Sequence, residues 1–168
     1  MSAEQRDEMV RGGALYLARV RDYRAFSNTE GFRHAVAHAA DLVLQLALNP
    51  LTTKTQLDHM MLAVAAQVAP EAGIAYWAGE PDRLARPIVF IAQRKLHTEA
   101  EWQGFFAEAT NPKPLASWKL AFASELGIKR RNNVRAFLLS LYASTTTSED
   151  AGIRQLIGPV TAALKTLP

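Results

Sequence analysis

Residues 123–142, ASELGIKRRNNVRAFLLSLY, carry the clearest helical pattern of this chain. Val134, Phe137, Leu138 and Leu141 follow the i, i+3, i+4, i+7 spacing that places side chains on one face of an α-helix. A continuous apolar stripe of this kind needs another element to cover it. The segment therefore predicts a helix whose stripe packs into a core.

The same periodicity recurs on the N-terminal side of this segment. One helix is predicted from about Ala3 to Phe26, and a second ends near Leu48, before an Asn-Pro pair. A third has apolar residues at helical spacing: Leu57, Met60, Met61, Val64 and Val68. Capping boxes are predicted at two helix starts, formed by Thr53 with Gln56 and by Thr98 with Glu101. A last helix is predicted from about Ser148.

Residues 74–93 are ambiguous. They hold two β-branched or aromatic runs separated by turn residues, which fits either a short β-hairpin or two short helices. We favour helices, because an isolated hairpin is marginally stable. No internal repeat or long linker divides the chain. The sequence therefore predicts an all-α fold: a compact single-domain bundle of about six to eight helices over residues 1–168, with a hairpin at 74–93 as the open alternative.

Composition narrows the function classes. The chain has 168 residues, of which 49% are hydrophobic and 21% charged, as in an ordinary globular protein. It has no cysteine, which excludes thiol catalysis, disulfides and cysteine-ligated zinc. The first residues lack the apolar region of a secretory signal, and the most apolar run is too short to span a bilayer. We expect a cytoplasmic protein with no membrane partner.

The basic residues of the segment at 123–142 are the main functional candidates. Ala123 and Gly127 match the first half of a helix-turn-helix pattern, but Asn133 stands where that pattern has an apolar residue. This mismatch in the second half of the pattern weakens the prediction that the segment reads DNA bases. Four cations near the expected helix start instead predict docking of an anion, most readily nucleic-acid phosphates: Lys129, Arg130, Arg131 and Arg135. An ordinary solvated run of charge is the competing interpretation.

A second cluster, RDYRAF at residues 21–26, interleaves cations and aromatics. Arg21, Tyr23 and Arg24 suit either stacking on bases or contact with a protein. The alternative function is thus a protein–protein adaptor that binds an acidic protein surface. Aromatic residues would add an apolar patch, although burial is the usual fate of the three tryptophans, Trp77, Trp102 and Trp118. Assembly of several copies of the chain is also left open.

A third candidate is a metal site on the second predicted helix. Five polar residues share one stripe at helical spacing: Glu30, His34, His38, Asp41 and Gln45. His34, His38 and Asp41 could ligate a divalent ion if another helix supplied ligands. The opposite face is apolar, so a solvent-facing polar stripe is the favoured interpretation. A His/Asp metal-dependent enzyme ranks last, the sequence leans towards a non-enzymatic protein, and we expect no cofactor.

Overall fold

The computed structural model describes residues 2–168 and is predominantly helical. Its eight α-helices are α1 (Ala3–Arg19), α2 (Ala35–Leu48), α3 (Lys54–Val68), α4 (Glu80–Gln93), α5 (Glu99–Ala109), α6 (Glu125–Thr147), α7 (Ala151–Arg154) and α8 (Ile157–Lys165). A 3₁₀ segment covers Trp118–Ala123, and strands β1 (Phe26–Ser27) and β2 (Gly31–Phe32) pair antiparallel. The predicted all-α bundle of six to eight helices is confirmed.

The helix starts follow their capping residues. The capping boxes predicted at Thr53 and Thr98 are both formed, and Ser2 with Gln5 forms a third at the start of α1. In each, the hydroxyl accepts from a backbone N–H three residues on, while the later side chain accepts from the cap's own N–H. These local signals lie wholly within four residues, so sequence shows them directly.

One core cluster draws residues from α1 through α8. Helix α4 packs between α2 and α6, and α1 packs against α3. The stripe of α6 is fully buried: Val134, Phe137, Leu138 and Leu141. The apolar residues predicted for α3 are buried as well: Leu57, Met60, Met61, Val64 and Val68. The assignment of residues 1–168 to a single domain stays a prediction.

Helix α1 is shorter than predicted, ending at Arg19 rather than near Phe26. The reason is a long-range contact. Fully buried Gln67 on α3 donates Nε2 hydrogen bonds to the carbonyl oxygens of Leu17 (2.8 Å) and Val20 (3.2 Å). Those carbonyls are thereby satisfied without a further turn of helix. The chain instead enters a loop and then the β1–β2 hairpin.

Residues 74–93 contain no hairpin and one helix rather than two. Helix α4 begins at Glu80 and carries Pro87 in its interior. The irregular residues before it are fixed by Asn133 of α6, whose Oδ1 accepts from the N–H of Tyr76 (2.9 Å) and whose Nδ2 donates to the carbonyl of Ile74 (2.8 Å). The side-chain amide of Asn133 thus takes the place of a partner strand. The short hairpin of the fold lies at 26–32 instead.

The start of α6 differs from a helix-turn-helix. Gly127 lies in the first turn of α6, not in a turn between helices, and Ser124 caps the helix by accepting from the N–H of Gly127 (3.0 Å). A Cβ on Gly127 would stand 2.3 Å from the carbonyl oxygen of Ala121 in the 3₁₀ segment. Glycine is therefore needed here for a close backbone approach. The partial helix-turn-helix match is wrong.

The C-terminal helix also departs from its prediction. Helix α6 continues through Thr147, and Asp150 then caps α7 by accepting from the N–H groups of Gly152 (2.7 Å) and Ile153 (3.3 Å). The predicted last helix is thus split into α7 and α8. None of the helices within residues 2–168 has the length and apolar character needed to cross a membrane.

Candidate functional site

The predicted basic cluster on α6 is not at a helix start. Because α6 begins at Glu125, the residues Lys129, Arg130 and Arg131 lie in its second turn. Successive residues of an α-helix point about 100° apart, so these three side chains leave the helix in different directions. The backbone N–H groups at the start of α6 and these three cations therefore do not form the combined anion site that the sequence predicted.

Arg130 points into the protein and is only 5% exposed. Its Nη1 donates to the carbonyl oxygens of Ala69 (2.6 Å) and Pro70 (3.3 Å), just beyond the C-terminal end of α3. A cation there is favoured by the helix dipole. Burial lowers the pKa of the Arg130 guanidinium, and the charge of Glu71 opposes that shift. Arg130 therefore connects α6 to the end of α3.

The other three cations of the cluster have separate surroundings. Lys129 forms an ion pair with Glu125 on the same helix (2.5 Å). Arg131 donates through Nε to the main-chain oxygen of Pro168 (3.0 Å) and lies over the ring of Phe122. Arg135 is exposed. The four predicted residues thus do not form one anion-binding surface.

The residues predicted at 21–24 lie in the loop after α1. Arg21 donates to the carbonyl oxygen of Val20 (3.0 Å). Arg24 donates hydrogen bonds to the Asp22 carboxylate through Nε (2.8 Å) and Nη2 (2.6 Å). This guanidinium holds the pKa of the Asp22 carboxyl far below its usual range. Tyr23 is half-buried, with its ring 6.4 Å from that of Tyr76. The sequence did not show that Arg24 is already paired.

The predicted metal ligands are not assembled. His34 precedes α2 with a left-handed backbone, φ 46°, and is buried with Nε2 3.4 Å from Oε1 of Glu80. The favoured expectation of a solvent-facing stripe is therefore wrong for His34. Asp41 pairs with Arg83, and His38 is exposed. Over the part of the chain that the structure covers, no three acidic or histidine side chains converge to hold a metal.

Among the exposed aromatic residues, three lie on the β1–β2 hairpin or in the loop before α4, and we call them the hairpin face: Phe26, Phe32 and Trp77. Phe26 and Phe32 oppose each other on β1 and β2 with ring centroids 4.9 Å apart. Their exposed fractions are 43% and 62%, and that of Trp77 is 69%. Trp102 and Trp118 are buried as expected, so the expectation of burial is wrong for Trp77 alone.

Contacts connect the hairpin to the loop that carries Trp77. The Phe32 ring lies 4.7 Å from that of His34, and His34 meets buried Glu80. A carboxylate oxygen of Glu80 accepts from the N–H of Ala78 (3.0 Å), the residue after Trp77. A signal for Trp77 was present in the sequence: it stands between Gly73 and Gly79, in a stretch without a helical apolar pattern.

A polar cavity of about 260 Å³ lies where the ends of α3 and α5 meet α6. We call it the Arg130 cavity. Its charged and amide lining residues are Glu71, Glu108, Asn111, Lys113 and Arg130. Within residues 2–168, Nε of Arg130 has no hydrogen-bond partner. Arg130 is thus a largely buried cation at the edge of the cavity, and its unpaired Nε is enclosed by the described residues.

Comparison with known proteins gives one match. A family described as a protein of unknown function (DUF2785) matches residues 1–143, which run from α1 into α6 and include the hairpin face and the Arg130 cavity. No curated protein and no solved structure matches the chain significantly. Since the match covers well over half of the sequence, the chain belongs to the DUF2785 family of proteins of unknown function.

Proposed function

We propose that this protein is a non-enzymatic protein–protein interaction module whose hairpin face binds an apolar site on a partner protein. The observation that carries the proposal is the exposure of Phe26, Phe32 and Trp77. Large aromatic side chains dominate the binding energy of many protein interfaces because they bury much area with few rotatable bonds. Two of the three are already held against each other across the hairpin.

The charges around the hairpin favour a protein partner over a polyanion. Arg24 is paired with Asp22, and Arg33 with Glu30, so two cations are balanced by two carboxylates. Arg33 holds the pKa of Glu30 below its usual value, which keeps that carboxylate ionised. An apolar centre with a rim of mixed charge is the usual composition of a protein interface. The partner is therefore expected to present an apolar groove with a mixed-charge rim.

Nucleic-acid binding through phosphates is the second candidate. Exposed aromatic rings can stack on bases of a single strand, and the chain carries a net charge of +3. Of the predicted cations, exposed Arg135 is the most accessible to phosphates. The pairing of Arg24, Lys129 and Arg131 weakens this candidate, because each ion pair or hydrogen bond must be broken first.

The test compares a double variant, Phe32→Ser with Trp77→Ser, against Leu51→Ser, a control at a residue that is 63% exposed in the loop between α2 and α3. Proteins retained by the wild type in cells of the source organism are identified, purified and titrated by calorimetry. Wild type and control should bind alike, and the double variant at least about 30-fold more weakly, since hot-spot truncation costs about 2 kcal/mol or more. Equal affinities for all three proteins contradict the proposal.

The dependence of affinity on salt concentration distinguishes nucleic-acid binding, the second candidate, from binding of a protein partner. Single- and double-stranded DNA and RNA are titrated between about 50 and 200 mM salt. Phosphate-driven binding should weaken steeply with salt and lose part of that slope in Arg135→Gln, whereas apolar docking of a protein should change little. Self-association of the chain through the hairpin face is a further outcome of the test. Sedimentation would then show a dimer for the wild type and a monomer for the double variant. A cytoplasmic location belongs to the same proposal, and cell fractionation tests it.

A further inference from the structure

We propose that this protein forms a homodimer in which the outer face of α3 packs against the same face of a second copy, with the two α3 helices parallel. The surface, which we call the α3 face, consists of Leu62, Ala65, Ala66 and Ala69 on α3 together with Leu15 on α1. The inference is independent of the hairpin face. It rests on the apolar composition of a solvent-facing helix and on two grooves of opposite charge that flank it.

The first support is that the α3 face is apolar although it meets solvent. Its four α3 residues follow the i, i+3, i+4, i+7 spacing that aligns side chains on one side of a helix. Leu62 is 59% exposed, Ala66 is exposed, and Ala65 and Ala69 are half-buried. Residues 60–70 contain no charged side chain, whereas the solvent side of an amphipathic helix is normally charged or polar. Because the distance between packed helices depends on the side chains at the contact, three alanines allow a close approach of a second helix.

The second support is the charge of the two grooves that share Leu62. The groove towards α1, of about 340 Å³, is lined by Leu15 and Leu62, and Arg11 stands on its rim. Within residues 2–168, this lining contains no carboxylate and Arg11 forms no ion pair. The α1-side groove is therefore cationic.

The groove on the other side of Leu62, towards α5, is anionic. It has a volume of about 260 Å³, and its lining contains three carboxylates and one lysine: Asp58, Glu101, Glu108 and Lys54. Lys54 lies 3.0 Å from Asp58 and 2.7 Å from Glu101, so these two carboxylates are paired within the chain. Glu108 forms no ion pair in the part of the chain that the structure describes. It is therefore available to a cation from another molecule.

Opposite charges on the two sides of Leu62 make the α3 face complementary to a second copy of itself. A two-fold axis parallel to α3 places the α5-side groove of each copy over the α1-side groove of the other. An axis perpendicular to α3 would instead place the carboxylates of both copies against each other, which is unfavourable. The charge pattern therefore favours a dimer with parallel α3 helices.

Contacts within the chain set the level of Arg11 along α3. Helices α1 and α3 run in the same direction, because Asp7 accepts from Gln56 (3.1 Å) and the carbonyl of Leu17 accepts from Gln67 (2.8 Å). Arg11 lies between these two levels, beside the middle of α3.

Glu108 lies at a similar level on the other side of α3. It shares one cavity with Leu62 and another with Ala65 and Ala66, all in the middle of α3. In the parallel dimer, Arg11 of each copy therefore meets Glu108 of the other, and the two contacts are equivalent by symmetry.

Sedimentation equilibrium of the full chain over a range of concentrations tests the proposal. We expect a reversible monomer–dimer equilibrium for the wild type. Leu62→Ser should weaken dimerisation at least about tenfold, because it truncates the large apolar side chain at the centre of the interface. Leu139→Ser, at a 39% exposed position on α6, is the helical control and should dimerise like the wild type. The hairpin variant, Phe32→Ser with Trp77→Ser, should also stay dimeric.

Charge reversal at two exposed positions, Arg11→Glu and Glu108→Arg, tests the orientation of the two copies. Either variant alone places like charges together at both symmetric contacts, so each should dimerise at least about tenfold more weakly than the wild type. In an equimolar mixture of the two variants, both contacts again join opposite charges. A heterodimer should therefore form with an affinity close to that of the wild type.

Three results overturn the proposal: the wild type is monomeric at every concentration, Leu62→Ser dimerises as tightly as the wild type, or the mixture of Arg11→Glu and Glu108→Arg associates no more tightly than either variant alone. A dimer that persists in Leu62→Ser but is lost in the hairpin variant would place self-association at the hairpin face instead.

Discussion

Gly127→Ala tests the contact between the 3₁₀ segment and α6. The new Cβ would lie 2.3 Å from the carbonyl oxygen of Ala121, whereas ordinary contact begins near 3.4 Å. The two backbones must therefore separate by about 1 Å. Overpacking of this kind typically costs about 1–3 kcal/mol. Alanine inside a helix is otherwise favoured over glycine by roughly 0.5–1 kcal/mol. From the middle of these two ranges, the net expectation is a loss of about 1 kcal/mol.

Two other helical glycines supply matched controls. A Cβ added at Gly12 in α1 or at Gly104 in α5 would have no heavy atom within 4 Å. Alanine at either position should therefore stabilise the protein by roughly 0.5–1 kcal/mol. Because all three substitutions replace a helical glycine by alanine, the difference in stability between Gly127→Ala and the controls reports mainly the clash.

Urea denaturation of the three variants measures these effects, with an unchanged m-value as evidence that the unfolding transition is comparable. For a protein of this length, a loss of about 1 kcal/mol in Gly127→Ala corresponds to a fall in Tm of about 2–4 °C. If Gly127→Ala were as stable as Gly12→Ala, the close approach of Ala121 to α6 would be refuted. The start of α6 would then have to be packed differently.

Two further predictions concern the α3–α4 connection and the ion pair of Lys54. Asn133→Ala should lower the free energy of unfolding by about 2 kcal/mol in chemical denaturation, because it leaves the N–H of Tyr76 and the carbonyl of Ile74 without partners. The control is Asn132→Ala, at an exposed position on the same helix. Equal losses of stability in the two variants would refute the role of Asn133. Lys54, 2.7 Å from Glu101, is the main cause that holds the pKa of that carboxyl at about 2, against an ordinary value of 4.5. The pair therefore stabilises the fold above about pH 4.5 and is lost as the pH falls towards 2. Between pH 5 and pH 2.5, the Tm of Lys54→Met should fall less than that of the wild type. Equal falls in Tm would contradict a stabilising role of the Lys54–Glu101 pair.

Features that depend on a few neighbouring residues could be predicted from the sequence. The capping boxes at Thr53 and Thr98 and the buried stripe of α6 are of this kind, because their signals lie within a few turns of one helix. The all-α class followed from several such patterns together. The end of α1 could not be predicted in this way, since Gln67, far away in sequence, accounts for it.

The candidate site was less predictable, because it depends on what each charged side chain meets in three dimensions. The sequence predicted that Arg130 binds an anion, yet it showed neither the burial of this side chain nor its hydrogen bonds to the end of α3. Pairing of Arg24 with Asp22 could have been suspected from their spacing in the loop. Glu71, Glu108 and Lys113 lie on segments that only the packing of α3, α5 and α6 brings together.

Helix α6 holds the α3–α4 connection at its start and in its middle. Arg130 binds the carbonyls of Ala69 and Pro70, and one turn later Asn133 holds Ile74 and Tyr76. The connection has no regular secondary structure, but its hydrogen bonds to α6 fix its conformation. The backbone next to Trp77 therefore loses its conformational freedom when the protein folds, not when a partner arrives. Association at Trp77 avoids that entropic penalty, which favours a preorganised encounter over folding upon binding.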